Sequence, residues 1–496
     1  MLEALYIAVD LGASSGRVVL AGAAPGEMML EEVRRFRYPA TESKGHLRWD
    51  FPHLFKEIKA GLLQAGVRAR ALGRRIQSIG IDSWGVDYGF IDASGKLVEN
   101  PICYRDERTK GVMDRVFERI PRAELFARTG IQFQPFNTLF QLYTQAHDEG
   151  IPAAAERLLL IPDLVNFFLT GRVVTEYTNA TTTEMVRAES RTWDAETLSA
   201  LELPAGLLTE IVFAGTTVGP LTDPIADELD LRGVTVVAPA THDTGSAVVG
   251  APLEPGWAYI SSGTWSLIGV ELDRPLINDQ VARHNFTNEG GAFDTVRFLK
   301  NVTGMWILAS CQREWSERGI ELDHERLLRE VATREEPAAL IFPDDPRFFN
   351  PASMLDAIAG QLRETRRPVP DDPVTITKAI LDSLAFRYAS VLKVIESLTG
   401  NQVKGLQIVG GGSLNDYLNQ MAANAANLPV AAGPAEAAVT GNVLVQAIAA
   451  KRFASMGEAR RHVAENIPLK RFTPATSPRL LDAQRRYAEM EARFEN

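Results

Sequence analysis

The sequence predicts an α/β protein made of two large domains of similar plan, and three observations carry that expectation. The chain has 496 residues, whereas a single hydrophobic core stops growing at about 250–300 residues. A strand, a tip of small and hydroxyl residues and a returning strand occur at residues 5–21 and again at 257–270. One such hairpin is weak evidence, but two that each open a half of similar size point to duplication, with the tips facing across a cleft. Around them, apolar strand runs alternate with helical patterns, as in a sheet covered by helices.

Composition narrows the function. With 45% hydrophobic and 23% charged residues the chain reads as an ordinary globular protein. Its 52 basic and 63 acidic residues give a formal charge of −11, which disfavours a nucleic-acid partner because binding a phosphate backbone needs a basic face. The densest basic stretch, 68–75, reads as a solvated helix end. Cys103 and Cys311 are the two cysteines and belong to no CxxC or Cys/His cluster, so both are expected as buried thiols outside any disulfide or zinc site. The N-terminal run lacks the basic start and cleavage site of a signal peptide, and no stretch of about 18 apolar residues suits a membrane span. A cytoplasmic compartment is expected.

In the first half, residues 5–9 form a buried strand run, 10–16 a turn and 17–21 the returning strand. The tip offers backbone N–H groups and the hydroxyls of Ser14 and Ser15, which suit phosphate oxygens as well as an ordinary tight turn. No GxxxxGK[ST] and no GxGxxG occur, which excludes a P-loop and weakens a dinucleotide fold. Residues 31–38 read as an edge strand, and 54–72 as a helix with Leu54, Ile58, Leu62 and Ala65 on one face, capped by Asp50. Residues 76–91 read as strand, polar break and strand, and Asp82 ends the first strand much as Asp10 ends the hairpin's first strand. Two carboxylates at neighbouring strand ends suit magnesium, which is held by one or two carboxylates plus substrate phosphates. Trp84, beside Gly85, is either core or one wall of a sugar pocket. Residues 105–215, with a hydroxyl-rich segment at 178–183, are expected as an insertion carrying part of a substrate pocket or as a loop-rich surface subdomain.

Close to the middle of the chain an apolar strand run stops at Pro239, and Thr241-His242-Asp243-Thr244 leads into the small residues 245–251, which let a helix pack closely against a sheet. Asp243 is either a helix cap or a base that takes a proton from an alcohol. A helix N-terminus under its carboxylate would lower its basicity.

The second half opens on the repeated hairpin. Residues 287–291 are expected as a polar loop between strands, and Asn301 as the start of a helix through Trp306 and Leu308. The clearest helix is 375–398, with Ile376, Ile380, Leu384, Tyr388, Val391, Ile395 and Leu398 at core spacing and Gly400 as terminator. Residues 406–415 run strand, triple-glycine turn and helix cap at Asn415, so that a flat adenine ring could approach the glycine backbone. The expected division is 1–244 as a sugar-binding N-terminal domain, 245–455 as a nucleotide-binding domain and 456–496 as a tail of surface helices.

Taken together these stretches resemble the FGGY carbohydrate kinases. The resemblance is carried by VDLGASSGRV from Val9, IGIDSWGVD from Ile79, GIQFQPFNTLFQL from Gly130, EYTNATTTEM from Glu176, THDTGSAV from Thr241, YISSGTWSLIG from Tyr259, TNEGGA from Thr287 and IVGGGSLN from Ile408. They span nearly the whole chain. The first hairpin is general to the superfamily, whereas Trp84 after Ile-Asp-Ser, SSGTWSL and NEGG are nearer to the branch acting on L-rhamnulose. The resemblance implies an actin-like, RNase H-type duplicated fold with an interdomain catalytic cleft, and ATP-dependent phosphorylation of L-rhamnulose at its 1-hydroxyl, with magnesium. It implies Asp243 as general base, with Gly85, His242 and Thr244 on the sugar. Ala13, Ser14, Ser15, Gly16, Arg17 and Thr264 would meet ATP phosphates, Gly412 the adenosine, and Asn301 the substrate or the adjoining nucleotide site. A glutamine that relatives use for ATP falls at Ala309, with Gln312 one turn on. Other ketoses such as L-fuculose and xylulose, a non-catalytic sugar or nucleotide sensor, and a hydrolase using Asp82 with Asp243 are the alternatives. The expected partners are the sugar and ATP, with no nucleic acid and no membrane, in a monomer or homodimer.

Overall fold

The computed structural model describes residues 4–13, 15–334 and 339–495. The chain forms two compact units, Met1–Pro252, Glu271–Phe298 and Ala437–Ile467 in the first, and Leu253–Val270, Leu299–Glu436 and Pro468–Asn496 in the second. These units do not follow the linear division expected at 244/245 and 455/456. Helix Ala437–Ala449 belongs with the first unit because Val439, Val443 and Leu444 join a core with Tyr6 and Ala8. The expected tail is likewise divided, helix Met456–Asn466 going to the first unit and helix Pro478–Phe494 to the second.

The first unit is built on a six-stranded sheet in the order Thr217–Pro220, Thr235–Val237, Ile76–Ser83, Leu5–Leu11, Ser15–Gly22, Met29–Arg37. Strand Leu5–Leu11 is buried on both faces, as alternation and an unbroken apolar run require. Leu5, Ile7, Val9 and Leu11 pack with Leu54, Ile58 and Leu62 of helix Phe51–Ala71, while Tyr6 and Ala8 meet helix Ala437–Ala449. The strand pairs antiparallel with Ser15–Gly22 and parallel with Ile76–Ser83, which pairs parallel with Thr235–Val237. Met29–Arg37 is the edge strand, and Asp50 caps its helix by accepting from the His53 N–H at 3.1 Å. The hydroxyl-rich segment is a buried helix, Tyr177–Thr182, rather than a surface loop.

Helix Asp243–Gly250 uses its small residues differently from the expectation. They give close approach to helix Ala437–Ala449, not to the sheet: a Cβ on Gly250 would lie 2.8 Å from the Gly441 nitrogen, and one on Gly441 would meet the Ser246 carbonyl.

In the second unit, strands Ala258–Ser262 and Trp265–Leu272 pair antiparallel, and Ala258–Ser262 pairs parallel with Leu406–Val409. Val430–Ala432 follows in parallel and Lys470–Phe472 antiparallel. Each unit therefore repeats the plan of a hairpin whose first strand also pairs with a later parallel strand. Helix Pro373–Thr399 is buried around most of its circumference, starts at Asp372, whose carboxylate accepts from Thr375 N–H at 3.0 Å, and stops at Gly400 with φ +70°. Residues 287–290 form a strand and not a loop, and Asn301 lies in strand Val296–Thr303, the helix beginning only at Trp306. The backbone polar groups of these apolar-flanked residues are satisfied by strand pairing, which a reading of polarity alone does not detect.

Helix Pro478–Phe494 is fastened by Arg387, which donates to Asp344 at 2.8 Å, to Glu491 at 2.5 Å and to Glu495 at 2.7 Å, while Phe494 stacks on Phe342 at 5.6 Å. Arg387→Ala leaves these carboxylates without their buried cation and is expected to cost about 3 kcal/mol of stability, read as a lower denaturant midpoint. No helix among the described residues is long and apolar enough to cross a membrane.

Candidate active site

Three carboxylates gather at the carboxyl ends of three adjacent parallel strands, the place where open α/β sheets bind ligands. Asp10 and Asp82 are register partners on neighbouring strands. Ser83 N–H donates to Thr241 O at 2.8 Å, which brings Asp243, just after the third strand, to the same edge. Asp82 is fully buried; Asn442 donates to its Oδ2 at 2.6 Å and Oδ1 has no hydrogen-bond partner. Burial first, then the charge of Asp10, holds its carboxyl well above the usual range, with Asn442 pulling the other way. Asp10 Oδ2 accepts from Arg17 Nε at 2.8 Å and pairs with the second guanidinium nitrogen at 2.7 Å. Tyr38 lies among the three, its phenol pushed well above 10 by burial and then by Asp10, Asp243 and Asp82.

Asp243 keeps 25% of its side-chain surface open. It occupies the first turn of its helix, His242 holds the N-cap position, and Asp243 Oδ1 accepts from the Thr244 N–H at 2.6 Å. Burial raises its pKa to about 6, against the pull of His242, the Thr244 N–H and Arg297. The expectation of lowered basicity considers the helix terminus alone; burial acts in the opposite direction and outweighs His242, the Thr244 N–H and Arg297.

The loop carrying Asp243 is held by residues that the sequence reading quoted but gave no role. Glu176 Oε2 accepts from Thr178 N–H at 3.0 Å, Thr178 Oγ1 at 2.5 Å, Thr241 N–H at 3.0 Å and Thr241 Oγ1 at 2.9 Å. Thr178 Oγ1 in turn accepts from His242 N–H at 3.2 Å. On the other side Arg297, Glu289, His242 and Thr244 form one buried network. Gly85 faces Thr182, since a Cβ there would lie 2.9 Å from Thr182 Oγ1. Val86 follows at φ +71°, a conformation a β-branched residue adopts only when its surroundings enforce it. Its own backbone is held on both sides, the N–H donating to Thr182 Oγ1 at 3.2 Å and the carbonyl accepting from Thr138 Oγ1 at 2.7 Å, and the adjoining Asp87 accepts from Trp49 Nε1 at 2.7 Å, Trp84 Nε1 at 3.0 Å, Gln141 Nε2 at 3.2 Å and Tyr104 N–H at 3.2 Å. Trp84 is 6% exposed and stacks on Tyr38 at 5.8 Å within the hydrophobic core.

The tip of the first hairpin is a closed turn, Gly12 N–H donating to Ser15 O at 3.0 Å, with Ala13, Ser15 and Arg17 half-buried. Ser14 lies outside the described residues. Gly16 is a packing glycine: a Cβ would lie 2.8 Å from the Phe36 ring. Beside this tip is a cavity of about 590 Å³ bounded by Ala13, Ser15, Arg37, Trp49, Cys103 and Arg105, and not by Gly85, His242 or Thr244. Both cysteines are buried free thiols, Cys311 pushed up to about 12 by burial.

In the second unit Thr264 is exposed at the hairpin tip, its carbonyl accepting from Gly304 and Trp306 N–H groups at 3.2 Å. Of the glycine turn, Gly411 alone has open space, whereas Gly410 and Gly412 are tight against Ser262. The glycine open to a flat ring is therefore Gly411, and Gly412 is buried. Asn301 is half-buried, Ala309 is exposed, and Gln312 lies 3.3 Å from His324 Nδ1.

Among the described residues no group of three or more His, Cys, Asp and Glu could hold a metal ion. Asp10 and Asp82 instead form a two-carboxylate set with one unpartnered buried oxygen, which fits a hydrated magnesium that takes its remaining ligands from phosphates and water.

Comparison with known proteins adds three findings. The models of the N-terminal and C-terminal domains of the FGGY family of carbohydrate kinases match residues 5–250 and 258–450. The chain is 42% identical to a rhamnulokinase of Bacteroides thetaiotaomicron over 95% of this chain and 96% of that one. It is 38% identical to a rhamnulokinase of Bacillus subtilis over 95% of each. Among solved structures it resembles ligand-bound xylulose kinase from Lactobacillus acidophilus, with a TM-score of 0.80 at 15% identity over 99% of this chain and 97% of that one. Plasmodium falciparum glycerol kinase with ADP gives 0.78 at 14% identity with the same coverage.

Proposed function

This chain belongs to the FGGY family of carbohydrate kinases, and on that premise we propose that it transfers the terminal phosphoryl group of ATP to the 1-hydroxyl of L-rhamnulose, giving L-rhamnulose 1-phosphate and ADP. The observation that carries the chemistry is Asp243, a part-open carboxylate with a pKa of about 6 at the shared strand edge with Asp10 and Asp82. The substrate assignment rests on relatives named rhamnulokinase.

Phosphoryl transfer leaves the protein positioning and charge stabilisation rather than covalent work. Asp243 accepts the proton of the attacking hydroxyl; a pKa near 6 keeps it ionised at neutral pH yet more basic than an ordinary carboxylate. His242, Thr244 and the Gly85 backbone orient the sugar. N–H groups of the first hairpin tip donate to phosphate oxygens, beside the Arg17–Asp10 pair. Asp10 and Asp82 would hold magnesium, which when bound offsets charge on the phosphate oxygens. The adenine ring meets the open Gly411 side of the glycine turn.

An ADP-release assay across L-rhamnulose, L-fuculose, xylulose and glycerol tests the reading. L-rhamnulose should give the highest kcat/KM, and chelation of divalent cations should abolish turnover until magnesium is restored. A clear preference for another ketose removes the substrate assignment but leaves the kinase.

The pH profile is a further expectation. The log of kcat/KM should rise with slope one below about pH 6 and level above it, as Asp243 ionises. The same group acts on stability with the opposite trend. Its folded pKa of about 6 exceeds the ordinary 3.8, so between these values the native state binds more protons than the unfolded one and stability falls as pH rises. Asp243→Asn should remove both trends.

A further inference from the structure

We propose that Arg297 is a positioning residue for phosphoryl transfer: its guanidinium fixes His242 in the tautomer carrying hydrogen on Nε2 and pins Thr244 beside it, so that the two residues flanking Asp243 offer the sugar defined hydrogen-bonding atoms. The inference rests on the placement of the sugar at His242, Asp243 and Thr244 proposed above.

Arg297 is 1% exposed, among the largest fully buried side chains. Its Nε donates to Gly290 O at 3.0 Å, and one terminal nitrogen donates to Thr244 Oγ1 at 3.0 Å. The other terminal nitrogen lies 3.0 Å from Glu289 Oε2 and 3.1 Å from His242 Nδ1. A guanidinium has only donors, so each of these partners must accept. Nδ1 therefore presents its lone pair to Arg297 and the imidazole hydrogen sits on Nε2. Glu289 Oε2 also lies 3.3 Å from Nδ1. A hydrogen on Nδ1 aimed at Glu289 would set two N–H groups against each other and leave a buried arginine hydrogen without an acceptor, which is unfavourable. The Nε2–H tautomer lets Nδ1 accept from Arg297 without opposing it. Nε2 then lies 3.1 Å from Thr244 Oγ1 and 3.7 Å from Asp243 Oδ1, a donor directed to the side where the base works.

Glu289 and the Gly290 carbonyl belong to a buried strand, so Arg297 is itself fixed from two sides before it reaches the loop. A Cβ on Gly245 would come within 3.5 Å of the guanidinium carbon, so the helix that bears Asp243 is seated directly on this side chain. Arg297 makes no contact with the reacting atoms. Its effect passes through His242 and Thr244, and a misplacement of such groups by about 1 Å costs on the order of a hundredfold in rate.

Arg297→Lys keeps the charge opposite Glu289 but has one nitrogen, which cannot serve four acceptors in one plane. With histidines labelled by ¹⁵N and the His242 signals assigned by difference against His242→Gln, the parent at alkaline pH should show hydrogen on Nε2 and an unprotonated Nδ1. Arg297→Lys should mix the tautomers, lower kcat about a hundredfold and leave KM for ATP within about twofold. Glu289→Gln, whose amide oxygen can still accept from the guanidinium, should keep the parent tautomer and lower kcat by much less than Arg297→Lys does. Hydrogen on Nδ1 in the parent overturns the proposal, as does near-parental kcat in Arg297→Lys or an equal loss in Glu289→Gln, which would mark an ion pair that only supports the fold. The parent spectrum decides the tautomer even if Arg297→Lys fails to fold. It is also independent of the base assignment, which fails separately if Asp243→Asn retains turnover.

Discussion

Asp243→Asn lowers kcat for sugar-dependent ADP release by about 10²–10⁴-fold while leaving the fold and sugar binding intact; this range is what a positioned general base contributes. The amide is nearly isosteric, and its oxygen can still accept from the Thr244 N–H that now meets Oδ1 at 2.6 Å. What it cannot do is accept a proton. Removing a buried negative charge also relieves repulsion with Asp10, so thermal stability should hold or rise above pH 6. A purified variant with parental kcat would sink the base assignment, and one that loses sugar affinity without losing kcat would make Asp243 a binding residue only.

The second large effect is on the fold. Gly441→Val is expected to cost about 3 kcal/mol or more, the upper part of the range for overpacking, because the new side chain meets backbone and not a side chain that can rotate away. A Cβ at Gly441 falls on the Ser246 carbonyl and lies 2.8 Å from the Gly250 nitrogen. The two helices can relieve this only by separating, and one of them begins at Asp243. Loss of soluble yield or a lower denaturant midpoint should therefore come with loss of activity in whatever protein still folds. A parental midpoint in Gly441→Val would show that the crossing is looser than its geometry indicates.

The site was legible in the sequence where one residue type at one place in a pattern suffices. Asp10 and Asp82 each fall at the end of a strand run and Asp243 opens the helix that follows one, and local pattern places them there without any tertiary information. Trp84 could not be placed from sequence, because a tryptophan beside a glycine loop reads the same in a core or in a pocket; the structure packs it against Tyr38 and Trp49. The glycine turn was found, but which glycine is open could not be, since Gly412 is consumed by Ser262 from a strand about 150 residues earlier. Glu176, Glu289 and Arg297 were present in or near the quoted motifs with no role, because the contacts that tie them to the Asp243 loop are distant along the chain: Thr241 lies 65 residues from Glu176 and Thr244 lies 53 from Arg297.

By itself, then, the sequence determined the duplicated strand, tip and strand plan, the carboxylates at strand ends, the capped core helix at Pro373–Thr399 and the absence of a P-loop. These follow from hydrophobic period and from residue types with few uses. Tertiary structure alone decided that helix Ala437–Ala449 belongs to the first unit, that Gly250 and Gly441 pack helix against helix, and that Arg297 sets the atoms around Asp243. The physical reason is common to all three. Each depends on burial against residues distant along the chain, and burial is a property of what surrounds a residue in space, which its sequence neighbours do not specify.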